Sequence, residues 1–188
     1  MGERVREDAR DPQFRQRAAQ LLAGLDEPSA VAAVHAHAKG SIRFQRDEVT
    51  GEGIGSLSPD DPLVEVIVRP VDMARYIDEG VAIGDCDDFS MYAAALLEAR
   101  GIPCSFVTVA ADARDPGQFS HVYVAAYPGD GAGGRRRVAI DCSHGEYPGW
   151  EVPNRFNNRK EWPVRDGGGV LTVAAIGLGA WWLWRRAA

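Results

Sequence analysis

The stretch from Asp87 to Pro103 limits what this chain can fold into more than any other. Phe89, Ala93, Leu96 and Leu97 recur at helical spacing, Gly101 stands where a left-handed residue ends a helix, and Pro103 blocks continuation. The run that follows, Cys104–Ala110, is β-branched and aromatic and reads as a strand. Ser120–Tyr127 and Arg136–Asp141 read as two more strands, joined by the turn-rich Pro128–Gly134. A buried helix leading into hairpin-linked strands has to cover one face of an antiparallel sheet, so the expected class is α+β.

Upstream, Pro12 opens a helix that Gly24 closes, and Pro28-Ser29 open an alanine-rich second helix that Gly40 ends. Ile42–Arg46 is expected as a strand, Asp47–Pro62 as a long Gly- and Pro-rich loop, Leu63–Arg69 as a strand and Asp72–Glu79 as a short helix. Residues 143–169, rich in Pro, Gly, Asn and Trp, are expected to be irregular cover. The chain of 188 residues thus divides into bracing helices over 1–40, a core over 41–166 and a hydrophobic C-terminal segment over 167–188.

A net charge of −6 repels phosphate backbones, and the one dense basic cluster, Arg135-Arg136-Arg137, lies in a Gly-rich turn; nucleic acid is not an expected partner. Three cysteines without CxxC spacing argue against both a disulfide framework and a zinc ribbon, and point to a reducing compartment. The first twenty residues are charged throughout and lack the apolar stretch of a secretory signal. Cytoplasmic synthesis follows as the expectation. Val170–Trp184 carries no charge and is followed by Arg185-Arg186. As a helix it would span about 22 Å against a hydrocarbon core of about 30 Å. A membrane anchor, an interfacial or partner-packing helix and a buried helix all remain open for it, with no orientation assigned.

The chemistry centres on Cys86, which follows Gly84-Asp85 at the start of the buried helix. Unpaired N–H groups and the positive helix end are expected to lower the thiol pKa there and to receive an oxyanion. Asp87 and Asp88 oppose a thiolate, so an imidazolium partner is needed to offset them. If Tyr127 pairs with Arg135, His121 falls opposite Asp141, with Cβ atoms about 4.5–5.5 Å apart. Alternation then sends Val122, Val124, Ala126, Val138 and Ile140 to the core and His121 and Asp141 to the other face. A carboxylate beside a histidine fixes its tautomer, so that the second ring nitrogen can take a proton from a thiol.

Blander readings exist for each residue: Cys86 as a small buried hydrophobe, His121 as a strand-surface residue, Asp141 as the end of a strand or a turn cap. Cys104 reads as core. A metal site from Cys86, His121, Cys142 and His144 has little support in spacing, and Asp85, Asp87 and Asp88 lack the pattern of a calcium loop. Neither metal nor cofactor is therefore expected. His35 and His37, two apart on a helix, face different sides and read as surface or packing residues.

Gly84-Asp85-Cys86-Asp87-Asp88-Phe89, Gly101-Ile102-Pro103, Phe119-Ser120-His121-Val122-Tyr123-Val124 and Ile140-Asp141 together resemble the transglutaminase-like cysteine protease superfamily, most nearly its small bacterial and phage-encoded members. The likeness covers roughly residues 60–145. It implies a papain-like fold, with Cys86 as nucleophile, His121 as general base and acid, and Asp141 as the orienting group. Asp87 stands where better-studied members often have an aromatic residue. The implied activity is hydrolysis of peptide or isopeptide bonds in a peptide or protein substrate. Transamidation through the same acyl-enzyme is one alternative. A non-catalytic assembly module, in a phage particle or at a membrane reached through residues 170–184, is the alternative of a different class.

Overall fold

The computed structural model describes residues 1–46 and 67–165, and within them the chain is α+β. Three helices open it: α1 (Gly2–Asp8), α2 (Pro12–Leu21) and α3 (Glu27–Ser41). Asp11 and Asp26 cap the second and third, each carboxylate accepting the amide three residues on (Phe14 at 2.9 Å, Ser29 at 2.8 Å), with Pro12 and Pro28 preset for the first turn. Three helices replace the two expected. Helix α1 buries only Val5 and Asp8, too short a stripe to show a period. Gly40 does not end α3, which runs on to Ser41 and packs through Val31, Val34, His35 and Ala38.

Strand β1 (Arg43–Phe44) lies parallel to β2 (Ile83–Gly84), with Phe44 opposite Gly84. Between them comes α4 (Pro70–Asp78), tied back to α1 where the Arg69 guanidinium and the Val71 amide meet the buried Asp8 carboxylate. Of the expected strand 63–69, residues 67–69 form none and the remainder lies outside the described residues, as do the long loop 47–62 and the hydrophobic segment 170–184. Among the described residues no helix is long and apolar enough to cross a membrane.

Helix α5 (Cys86–Arg100) is the centre of the fold. All residues from Asp87 to Glu98 are buried, because α1, α2, α3 and α4 pack around it on one side and the sheet on the other. It ends as expected at Gly101, whose φ of 83° is the left-handed conformation that spares a glycine any Cβ clash. The sheet comprises β3 (Cys104–Val109), β4 (His121–Ala126), β5 (Val138–Ile140) and β6 (Arg159–Pro163), in the order β5-β4-β3-β6 and antiparallel throughout. Strand β6 falls inside the stretch expected to be irregular. It is an edge strand, largely exposed, so no buried face imposes alternation on its sequence.

Cys104, Phe106, Val122, Val124, Ala126 and Ile140 form the face against α5. The opposite face, to which the alternation assigns His121 and Asp141, is not given to them alone. It is a second, smaller core of Val107, Val109, Tyr123, Ala125 and Ala139, with Val152 packed over it. The hairpin register also differs from the expected one: Val124 faces Ile140, Ala126 faces Val138, and Gly129 bridges Arg135. The Asp130 carboxylate accepts the Ala132 and Gly134 amides at 2.9 and 2.8 Å and closes the turn farther out, with Gly131 and Gly133 at positive φ. The resulting two-residue shift leaves every side chain on its expected face.

Candidate active site

Cys86 begins α5, and its position is set by the cap before it. The Asp85 carboxylate accepts the Asp87 and Asp88 amides, while Asp88 reaches back to the Asp85 amide and forward to the Val68 amide at 2.8 Å. Gly84 is required for this: a Cβ there would stand 2.6 Å from Asp88 Oδ2. The cap and the Phe89 bond to the Asp85 carbonyl use three of the helix's first four amides, and the Cys86 N–H is the fourth.

The thiol does not have the lowered pKa expected from its position. Burial, then the negative charges of Asp85, Asp87 and Asp141, push Cys86 up to about 12, against the lowering effect of the Val122 backbone. The helix end is outweighed chiefly by burial, with the carboxylates of its own cap adding to the effect. Cys86 at rest is a thiol.

His121 begins β4, and its Nε2 lies 2.6 Å from Oδ2 of the fully buried Asp141. Since the ladder ends at the Val124 and Ile140 pair, the two are not cross-strand neighbours. Asp141 instead opens a tight turn in which the Gly145 amide donates to its carbonyl at 2.8 Å, and a Cβ on Gly145 would fall 2.6 Å from that oxygen. Oδ1 of Asp141 accepts the Ser143 hydroxyl and the His144 amide, both at 2.9 Å. Burial pushes the Asp141 carboxyl up, but the His121 bond and charge, the His144 amide and the Ser143 hydroxyl together hold it below the usual carboxylate range. It is an anion whose bond to Nε2 leaves Nδ1 of His121 available.

Cys86 and His121 line one cavity of about 680 Å³, together with Phe44, Asp85, Ser120 and His144. Cys104 and Cys142 are buried in the main core, so Cys86 alone of the three thiols faces this cavity. The core position of Cys142 removes it from the four-residue metal set weighed above. His121, Asp141 and His144 do bring ligand atoms within 4.8 Å of one another, as do Asp85, Asp87 and Asp88. In the first group, however, Nε2 and both carboxylate oxygens are already engaged in hydrogen bonds.

The support that Ser143, His144 and His35 give to Asp141 is not visible in the sequence, which offers His144 only as a metal ligand and His35 only as a surface or packing residue. Ser143 and His144 adjoin Asp141, and an Asp that accepts the amide three residues on is the one local signal that announces their turn. His35 is buried beneath that turn, against the backbone of Asp141 and Gly145, where burial lowers its pKa. His37, on the other side of α3, has its Nε2 3.0 Å from the Tyr92 hydroxyl.

No family model and no curated protein matches this sequence. Among solved structures the chain is similar to a candidate cysteine protease of Cytophaga hutchinsonii, at 19% identity and TM-score 0.46 over 73% of this chain and 39% of that one. It is similar also to LapG of Legionella pneumophila, at 18% identity and TM-score 0.49 over 96% of this chain and 93% of that one. A third likeness is to a candidate protease of Parabacteroides distasonis, at 13% identity and TM-score 0.42 over 79% of this chain and 30% of that one. The chain thus spans well under half the length of the first and third. These are likenesses in the path of the chain, and the chemistry of the site stands on its own geometry.

Proposed function

We propose that this protein is a thiol hydrolase of the transglutaminase-like type, a peptidase or amidase in which Cys86, His121 and Asp141 act together. The observation that carries this reading is the 2.6 Å bond between His121 and a buried Asp141 at the wall of the cavity that also holds the Cys86 thiol. The spaced motifs around Cys86, Gly101-Ile102-Pro103, His121 and Asp141, which resemble that superfamily, support it.

In this mechanism Nδ1 of His121 takes the Cys86 proton as the sulfur bonds to the amide carbonyl carbon, because a thiol held up to about 12 is not ionised beforehand. The oxyanion is received by the Cys86 amide, which the cap does not use. The imidazolium then protonates the leaving amine as the C–N bond breaks. Water, deprotonated by the same imidazole, attacks the thioester and restores the thiol. Asp141 keeps the ring in the Nε2–H tautomer throughout and balances its charge when protonated. An added primary amine in place of water gives transamidation by the same steps, and product analysis distinguishes the two outcomes.

The test is iodoacetamide labelling of the folded protein across a range of pH, with mass spectrometry of the parent, Cys86→Ala and His121→Ala. Labelling is expected at Cys86 alone, with a rate that falls at least tenfold without His121. Equal labelling of Cys104 or Cys142, or a Cys86 rate indifferent to His121, overturns the reading.

A further inference from the structure

We propose that His144 is a positioning residue for this site, acting through Ser143 on Asp141 and by direct ring contact on His121. The inference rests on the hydrolase reading above, and four observations on His144 carry it.

The first is a chain of hydrogen bonds. Ser143 Oγ lies 2.9 Å from His144 Nδ1 and 2.9 Å from Asp141 Oδ1. A hydroxyl has one hydrogen, and a carboxylate is acceptor only, so that hydrogen goes to Asp141 and His144 Nδ1 must be the donor to Oγ. The relay therefore runs from His144 Nδ1–H to Ser143 Oγ–H to Asp141, whose other oxygen holds His121 Nε2–H. Each link polarises the next, and together they fix the carboxylate rotamer that aims Oδ2 at the imidazole. The His144 amide, donating to the same Oδ1, ties backbone and side chain to one task.

The second observation is the ring packing. His144 meets His121 edge-on, with centroids 4.9 Å apart and planes at 85°, while His121 stacks on Tyr123 at 6.0 Å and 26°. Two contacts of different orientation define the plane of the His121 ring, which a single hydrogen bond to Asp141 leaves free to tilt. The third is that His144 is itself braced edge-on by Phe44 of β1 at 5.1 Å. The fourth is electrostatic. The charged or titratable groups facing His144 are His121 and Asp141 beside it, Lys39 from α3 and Arg46 after β1; partial burial, then the His121 charge, with Lys39 and Arg46 in the same sense, lower its pKa against the opposing pull of Asp141, which favours the neutral ring.

The experiment compares the parent with Ser143→Ala, His144→Ala, His144→Phe and His144→Asn. Two readouts are taken: the pH profile of Cys86 alkylation, and the downfield proton resonance of His121 Nε2–H, which reports the bond to Asp141 whether or not the protein is a hydrolase. Ser143→Ala and His144→Ala are expected to slow Cys86 about tenfold or more and to shift the resonance, with the thermal midpoint retained. Asn keeps a donor near the place of Nδ1, so His144→Asn recovers most of the rate. Phe keeps the ring wall without the donor and recovers less. Parent-like behaviour of His144→Ala in both readouts, or His144→Asn no better than His144→Phe, overturns the proposal. A parent Cys86 rate that does not depend on His121 instead overturns the hydrolase reading, and this inference with it.

Discussion

Replacing Gly84 by alanine tests how tightly the helix that begins at Cys86 is seated. The new methyl would stand 2.6 Å from Asp88 Oδ2 and 2.7 Å from Asp88 Cβ, whereas uncrowded contacts begin near about 3.5 Å. The Asp88 side chain must therefore withdraw by about 0.9 Å. Its bond to the Asp85 amide is already 3.3 Å long, and that withdrawal takes it past about 4 Å, where no hydrogen bond survives. Asp88 is buried, so water cannot replace the lost partner. Overpacking costs about 1–3 kcal/mol and a lost hydrogen bond to a buried carboxylate about 1.5–3 kcal/mol; with partial overlap the expected loss is about 2–5 kcal/mol. Urea unfolding measures it as a lower midpoint at unchanged slope. Gly40→Ala is the internal control, because Gly40 is helical with nothing within 4 Å of an added Cβ, and alanine there is expected to stabilise by about 0.5–1 kcal/mol. A Gly84→Ala variant within about 0.5 kcal/mol of the parent would refute the reasoning.

Two further outcomes are expected. Burial lowers the pKa of His35, so its contribution to stability is full above the unfolded-state value of about 6.5 and is lost as pH falls through the lower folded value; His35→Phe should flatten the dependence of the thermal midpoint on pH in that window, and an unaltered slope would exclude His35 as its source. Arg165→Ala strips the guanidinium from Glu98, whose side chain is only 3% exposed, and should cost about 1–3 kcal/mol in urea unfolding, with Glu98→Gln in the same chain restoring part of it.

The elements that carry a buried stripe or a sharp stop were legible in the sequence. Helix α5 is legible from its apolar run and its stop at Gly101 and Pro103, and β3, β4 and β5 from their branched and aromatic residues, because full burial writes apolar runs into the chain. Helix α1 and strand β6 were not legible for the opposite reason: the first buries two residues and the second almost none, so charge fills them without penalty. A register wrong by two still puts His121 and Asp141 on one face, since parity alone decides which face a side chain takes, while their bond comes from the turn at Asp141 rather than from cross-strand opposition. The resting state of Cys86 was misread because helix-end polarity is a local signal, while burial and the charge of Asp141, distant in sequence, emerge only on folding. The support that Ser143, His144 and His35 give to Asp141 depends on a turn and a helix brought together by tertiary packing, which no sequence period records.

The burial of α5 has a consequence for the cavity beside it. A rod gripped by four helices and a sheet cannot shift without dragging its neighbours, so the wall bearing the sulfur is a fixed anvil. The same cavity is lined by the connection from Ala111 to Ser120, almost wholly exposed, which is held at its ends by Ser120 Oγ receiving the Ala111 and Asp112 amides and at its middle by Asn158 donating to the Pro116 and Gly117 carbonyls. If the proposed hydrolase reading holds, exchanging that exposed connection is expected to alter which ligands the cavity admits while leaving Cys86, His121 and Asp141 in place.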